Sequence, residues 1–565
     1  MNLYQFISDN IKSTLITIPE LLKVDLSNII IEIPKDKSFG DFSTNIAMIL
    51  VKQLKKSPRQ IAEIILPYLK KLDFISEINI AGPGFINIKL KDEFIFNYIN
   101  QQLDIKINNP ETIVLDYGAY NVAKTLHIGH LRTSIVGDTL NRIAKFLGHK
   151  TISYNHIGDW GRPMGLVMAW IEKNAITNIT AKELDSFYPM AVEYAKNNSE
   201  FLDRARIITA EFQNGDSKWT ALYNTFIPIS LKAMNDVINR LGMLPFDNTL
   251  GEANASKYLA PVEKLLRDKN LLQESDGAQI VVIREDTDTA PMPPFMFYNS
   301  RGADTYDATD LAALYYRKIN DNPDRVIYLT DVRQTLHFQQ VFRVAHKIGL
   351  FKPEQLEHQY FGTINGKNGP LKTRDGNAAG LLDIIEIVNN AAHKRVIESG
   401  KKLPKETIEM IAIAALKFND LIHDVKSDYI FDADDVVQFE GRTGPYILYT
   451  AVRLKSILRK NKNEITKIKL EYNYKLSEIE RSLILKILDF NRIIQFAFDC
   501  RATNILANYT YDLCQLINTF YHECPILRDD VNEQTREYRL QIAKNAYQSL
   551  YTAIDLMGLK IPSEM

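Results

Sequence analysis

Only three cysteines occur in the 565 residues, Cys500, Cys514 and Cys524, and no two are spaced as CxxC. That scarcity excludes a disulfide framework and a cysteine-built zinc site. It fits a reducing compartment, so a cytoplasmic location is expected, with the thiols acting as small buried apolar side chains. An uninterrupted apolar run of about 18 residues, the length that crosses a bilayer, is also missing. The opening MNLYQFISDNIKSTL lacks the basic start and apolar core of a secretion signal and reads as an amphipathic helix. An excess of one charge is absent too. The formal net charge is −1, so the chain as a whole has no general pull on polyanions. Any nucleic acid must be met by local basic patches. Internal repeats and low-complexity tracts are not found.

Hydrophobic residues at 45% and charged residues at 24% describe an ordinary soluble chain. Its length allows several domains of roughly 100–200 residues each. Residues 1–108 read as a small α+β unit. A helix there carries Ile46, Leu50, Leu54 and Ile61 on one side, and EINIAGPGFINIKL alternates like two strands around a Gly-Pro-Gly turn. Asn108-Asn109-Pro110 reads as a linker. Residues 109–435 then show strand, loop, helix, strand (ETIVLDYGAYN, GHLRTSIVGDTLNRIAKFLGHK, KTISYNHIGDWG), the unit of a Rossmann-type parallel sheet. The alternation is interrupted by a largely helical insertion at about 166–289 and resumes with DRVIYLTDVRQ. Residues 436–565 are almost all helical in pattern, a separate bundle. The expected class is therefore α/β, with an N-terminal α+β domain and a C-terminal all-α domain.

His127-Ile128-Gly129-His130 stands where the loop after the first parallel strand meets its helix. A helix start points unpaired N–H groups and partial positive charge outward, which suits phosphate. Gly129 removes a side chain, so that a nucleotide can approach the backbone. The two histidines are three apart and share a face of the first turn. From there they can donate hydrogen bonds to a phosphoryl group during an in-line displacement. HxGH alone is common by chance; its position at a strand–helix junction makes it informative.

With NVAKTLHIGHLRTSIVGD, YNHIGDWG, FEGRTGPYILY and the terminal GLKIPSEM, the sequence resembles the class I aminoacyl-tRNA synthetases, and among them the arginyl-tRNA synthetase family. The resemblance spans essentially the whole chain. It implies activation of L-arginine by ATP, with Mg²⁺ accompanying the nucleotide and no zinc or other resident metal. Transfer to tRNA(Arg) follows, and tRNA is required for the first step. A monomer with no membrane association is expected. His127 and His130 would stabilise the α-phosphate transition state. The family's second signature, KMSKS, is degenerate here: its loop, about 370–376, includes Pro370-Leu371-Lys372-Thr373-Arg374. Thr373 stands where the catalytic second lysine usually lies. The resemblance places the compensating cation at Lys124, opposite, where a mobile ammonium can reach the leaving pyrophosphate. Lys124, His127, Gly129, His130, Lys372 and Arg374 are thus the expected ATP-binding residues. For Lys124 the plainer alternative is a solvated loop lysine.

By the same resemblance Asp116, Tyr306 and Asp310 would surround the arginine guanidinium. Asn121 and Gln334 would hold its α-amino and carboxylate groups. Two carboxylates and a phenol match a planar cation with five donors. Lysine would leave some acceptors unpaired, the stronger form of discrimination. Some relatives carry Glu where Asp116 stands, and Asp304 and Asp307 could compete for the role. On tRNA, Phe85 and Asn87 match positions that pack on and hydrogen-bond a D-loop base, with Lys52, Lys55 and Lys56 as phosphate contacts. Core packing is the competing assignment for Phe85. Tyr446, Tyr449 and Arg453 match anticodon-loop contacts; their spacing on a helix presents them together as a stacking platform. Seven Lys/Arg against one Glu follow between Arg453 and Lys469, a run that alone reads as a solvated helix face. Glutamate or glutamine synthetases would need a basic or amide-rich pocket, and a cysteine enzyme a zinc site. A small HIGH-type nucleotidyltransferase would lack the terminal domain. A silent tRNA-binding paralogue has no reason to keep His127, His130 and Lys124.

Overall fold

The computed structural model describes residues 3–565 except 23, 27–28, 35, 100–106, 108, 125, 368, 371–379, 462–468 and 471–473. The amphipathic opening forms the Leu3–Leu15 helix, burying Leu3, Ile7, Ile11 and Leu15. Four antiparallel strands follow: β1 (Ile31–Glu32), β2 (Phe42–Thr44), β3 (Ile75–Ala81) and β4 (Phe85–Leu90), in the spatial order β1-β2-β4-β3. The single helix expected through Ile46 and Ile61 is broken into three pieces, Ile46–Ile49, Val51–Leu54 and Pro58–Leu69. Lys55 turns left-handed at φ 53°, and Ser57 caps the next helix with Pro58 at its first position. Cap and proline together start a new helix rather than continue the old one.

Beyond residue 110 the strands are β5 (Thr112–Asp116), β6 (Lys150–Ile157), β7 (Asn248–Gly251), β8 (Leu272–Ser275), β9 (Ala278–Val281), β10 (Phe295–Tyr298), β11 (Arg325–Asp331) and β12 (Leu356–Phe361). Five form one parallel sheet in the order β12-β11-β5-β6-β7. Ile113, Val114 and Leu115 of β5 and Val326, Ile327 and Leu329 of β11 are fully buried, as expected where both faces of a parallel sheet are covered. The chain runs outward from β5 through β6 and β7, then returns to the other side of β5 as β11. That reversal opens a crevice at the carboxyl ends of β5 and β11, the usual ligand position in such sheets.

The insertion is largely helical, through Arg162–Lys173, Ala181–Lys196, Ser199–Gln213, Ser217–Arg240 and, further on, Leu259–Asp268. Between and after the later helices it also contains strands that the sequence reading did not foresee. β7 rejoins the parallel sheet against β6, and β8, β9 and β10 make a small antiparallel sheet of their own. Strands of four residues are too short to display a period, and nothing in NTLG marks it as a sheet strand.

After β12, three short strands, β13 (Ile364–Gly366), β14 (Gly369–Pro370) and β15 (Tyr429–Ile430), form a minor sheet in the order β14-β13-β15. The remainder is helical: Lys405–Leu421, Gly444–Lys460, Glu478–Asp499, Thr503–Glu523 and Glu533–Leu556 pack together. Arg481 of this bundle pairs with Asp41 and Asp92 of the N-terminal unit. Lys417, fully buried, donates to the carbonyls of Leu241 (3.1 Å) and Gly558 (2.9 Å) and lies 3.8 Å from Asp138. Burial drives its ammonium down to about 8, against the pull of Asp138. The tail after the last helix is thereby tied to the helix Leu131–Leu147 that follows β5. Among the described residues no helix is long and apolar enough to cross a membrane.

Candidate active site

Between β5 and its helix the chain takes a strained path. Ala119 and Ala123 adopt φ of 49° and 55°, values that residues other than glycine keep only where their surroundings impose them. Those surroundings are explicit. Asn121 bridges to Gly158, the Val122 N–H donates to the Gly158 carbonyl, and the Ala123 N–H donates to Ser230 Oγ at 3.3 Å. His127 then caps a single 3-10 turn, Ile128–His130, which runs straight into Leu131–Leu147.

Within that turn the two histidines are locked to the backbone. His127 Nδ1 accepts from the Gly129 N–H and His130 Nδ1 accepts from the His127 N–H, both at 3.1 Å. A ring nitrogen that accepts carries no hydrogen, so each neutral imidazole keeps its proton on Nε2 as a donor. The ring centroids are 4.0 Å apart. Burial, then the adjoining His127 and Lys124, push His130 down to about 3, against a backbone hydrogen bond that raises it. Burial, Lys124 and Arg333 lower His127 as well. The pair is therefore a neutral two-donor clamp, suited to phosphoryl oxygens without a proton changing place. A Cβ on Gly129 would lie 2.8 Å from His127 Cε1 and 2.9 Å from its Nδ1. The missing side chain thus makes room first for the His127 ring; the open approach expected for a nucleotide is the lesser part.

Lys124 reaches out of the same loop, its ammonium 4.5 Å from the centre of the Tyr188 ring and its pKa lowered by partial burial. At the end of β11, Asp331 caps the turn Val332–Gln334, and Gln334 stands exposed at the start of the Thr335–Lys347 helix. Gly380 pairs antiparallel with His127, and the Leu381 N–H donates to the Leu126 carbonyl at 2.7 Å. Gly380 and Leu381 are thus stitched to the histidine turn. Lys372, Thr373 and Arg374 fall outside the described residues. Arg132, two residues past the turn, is buried against Asp420 (3.0 Å) and donates to the carbonyls of Ser427 (2.7 Å) and Asp424 (3.1 Å). Those partners immediately precede β15, which pairs with β13.

The acidic residues gather on the Tyr306–Asn320 helix and beneath it. Asp310 accepts from His337 Nε2 at 2.6 Å and faces His156 Nε2 at 3.3 Å, while Asp307 accepts from His337 Nδ1 at 2.6 Å. Burial alone would lower His337, but the hydrogen bonds and charges of Asp307 and Asp310 lift it to about 9. It is an imidazolium at neutral pH. Burial would raise Asp310, yet His337 and His156 keep its carboxyl below the usual range. The Tyr306 ring lies 4.8 Å from that of His337 and is 64% exposed. Glu252, just after β7, completes the cluster and had no place in the sequence reading. Burial first, then Asp310, Asp159 and Asp304, push its carboxyl up to about 8. Burial first, and the neighbouring acids after it, keep the proton on Glu252, the perturbation typical of functional carboxyls.

Asp116 needs correction. The expectation was a free carboxylate on the guanidinium, but Oδ2 accepts from Arg317 at 2.5 Å and the side chain is 4% exposed. Arg317, itself buried, also donates to Tyr328 Oη at 2.6 Å and stacks on the Tyr154 and Tyr328 rings. Asp116 is neutralised under the pocket, and the second carboxylate near Asp310 is Glu252. Asn87 is 3% exposed in the inner strand β4, donating to Asn79 at 3.3 Å. Phe85, two residues away, is half-buried. In the bundle, Tyr446, Tyr449 and Arg453 do come together on the Gly444–Lys460 helix. The Arg453 guanidinium lies 5.2 Å from the Tyr449 ring and 4.4 Å from that of Tyr521, and Asn518 donates to Tyr446 Oη at 3.0 Å.

Three family models match in succession along the chain: the arginyl tRNA synthetase N terminal domain over residues 5–90, the catalytic domain of class I (R) tRNA synthetases over 95–433, and the DALR anticodon binding domain over 447–565. The chain belongs to the arginyl-tRNA synthetase family. Among its relatives is the arginine–tRNA ligase of Alkaliphilus oremlandii, 37% identical with 93% of this chain and 94% of the relative covered. That of Idiomarina loihiensis is 36% identical, with 95% of each covered. The crystal structure of arginyl-tRNA synthetase from Plasmodium falciparum superposes with a TM-score of 0.83 at 25% identity over 100% of this chain and 99% of that one. The class I fold, a parallel-sheet catalytic domain between an N-terminal domain and a helical DALR domain, is therefore that of the arginyl-tRNA synthetase family.

Proposed function

We propose that the chain is an arginine–tRNA ligase whose amino-acid pocket is the acidic cluster of Asp310 and Glu252. The observation that carries this reading is the pairing of two features: a neutral histidine clamp at the start of the helix after β5 and a cluster of acids around Asp310 and Glu252. Arginine's carboxylate attacks the α-phosphorus of ATP, forming the acyl phosphate bond as the bond to pyrophosphate breaks. His127 and His130 donate through Nε2 to the phosphoryl oxygens, and the Lys124 ammonium meets the leaving pyrophosphate. ATP enters as its Mg²⁺ complex, the metal belonging to the substrate. A terminal ribose hydroxyl of tRNA(Arg) then attacks the adenylate and releases AMP. Asp310, Glu252 and Tyr306 receive the guanidinium, with Asn121 and Gln334 at the α-amino and carboxylate end. Lys372 and Arg374 add phosphate contacts. Phe85 packs on the tRNA elbow, while Tyr446, Tyr449 and Arg453 stack anticodon bases. Clamp and pocket come from one chain, and the enzyme works as a cytoplasmic monomer.

Pyrophosphate exchange with each of the twenty amino acids, with and without tRNA, tests the reading. Signal is expected for arginine alone, and only with tRNA present. Exchange with another amino acid but not arginine would sink it.

The pocket also makes a proton prediction. A carboxyl near 8 is mostly protonated at pH 7, and a bound guanidinium favours its ionised form. Arginine binding at pH 7 should therefore release about one proton, measured by calorimetry in buffers of different ionisation enthalpy. Glu252→Gln should abolish the release. If the release persists in that variant, it comes from elsewhere.

A further inference from the structure

We propose that the helical insertion serves the chemistry, with Tyr188 a positioning residue that holds the Lys124 ammonium beside the histidine pair. The inference rests on the reading of Lys124 as the cation for pyrophosphate. Two separate contacts carry it. Lys124 Nζ stands 4.5 Å from the Tyr188 ring centre, where the negative face of an aromatic ring attracts a cation. One residue earlier, Ala123 is held in its left-handed conformation while its N–H donates to Ser230 Oγ, a hydroxyl on a residue 7% exposed. Tyr188 and Ser230 lie on different helices of the insertion, Ala181–Lys196 and Ser217–Arg240. Backbone and ammonium of one two-residue stretch are thus gripped by the same subdomain.

The choice of an aromatic partner has a chemical reason. A lysine ammonium sits on a flexible four-carbon stem and unrestrained would sweep a wide arc. A carboxylate would restrain it but cancel the charge that pyrophosphate needs. A ring face restrains it and leaves the charge intact. That charge is felt at the clamp, where Lys124 contributes to the lowered pKa of both His127 and His130. The ammonium therefore lies within electrostatic range of the phosphate-binding turn.

A double-mutant cycle on the full chain, read by tRNA-supported pyrophosphate exchange, tests the role. Tyr188→Leu should lower kcat about three- to thirtyfold, the range of a partly desolvated cation–ring contact. The KM for arginine should stay within about twofold, because only the transition state is affected. Tyr188→Phe, which keeps the ring face, should recover most of the turnover. In a Lys124→Ala background, Tyr188→Leu should add no further loss. Equal losses in both backgrounds, or unchanged turnover in Tyr188→Leu while Lys124→Ala is crippled, would overturn the positioning role alone. Unchanged turnover in Lys124→Ala would overturn the reading of Lys124 and this role with it.

Discussion

Replacing His130 with alanine should lower the rate of arginyl-adenylate formation by about 10²–10³, the effect of removing one preorganised donor from developing charge. That corresponds to about 2.7–4 kcal/mol of transition-state stabilisation. The KM for arginine should change little, since the residues proposed for the guanidinium lie on other elements. His130→Asn is the informative partner: its amide oxygen can accept the His127 N–H, so the turn is retained while the donor is displaced. A partial loss there would separate clamp geometry from clamp chemistry. The pH dependence adds a second reading. Because burial and neighbouring positive groups hold His130 down to about 3, the ring gains a proton only far below neutrality. At saturating arginine, turnover should therefore not fall through the ordinary histidine range as pH drops from about 8 to 6. Wild-type turnover in His130→Ala, or a rate loss near pH 6.5 that this variant abolishes, would contradict the neutral-donor assignment.

Asp310→Asn should raise the KM for arginine roughly a hundredfold, about 2.7 kcal/mol, with the KM for ATP nearly unchanged. Each charge-assisted bond to a guanidinium contributes about 1.5–3 kcal/mol where water is excluded. The neutral amide loses that charge and also places an N–H₂ group against His337, which already donates from both ring nitrogens. Steady-state kinetics in arginine and ATP, with a thermal melt as the folding check, decide the matter. If the arginine KM is unmoved in a folded variant, Asp310 does not face the substrate, and the preference for a cation must arise elsewhere.

Local features were legible in the residue order and distant ones were not. The histidine turn could be read because its parts lie within four residues and its position follows a strand of unmistakable apolar character. Tyr306 and Asp310 were named by resemblance, and the structure sets both on the Tyr306–Asn320 helix, each beside His337. Glu252 was not legible, because no short motif surrounds it and its meaning comes from Asp310 and Asp304 arriving from a later segment. Asp116 misled in the opposite direction. Its type and place were right for a cation, but the cation that meets it is Arg317, about two hundred residues away. The burial of Asn87 was not legible either, since no spacing in GPGFIN reveals it. The insertion was recognised as an interruption, while the four-residue strand inside it carried too few side chains to show a period.

The buried Lys417 carries an implication for biosynthesis. Its ammonium sits under the helix that follows the histidine turn and depends on a carbonyl from Gly558. A ribosome-bound chain that has not yet emerged as far as Gly558 holds a charged amine with a vacant acceptor in that place. The packing of that helix is therefore complete only once the stretch around Gly558 is in place.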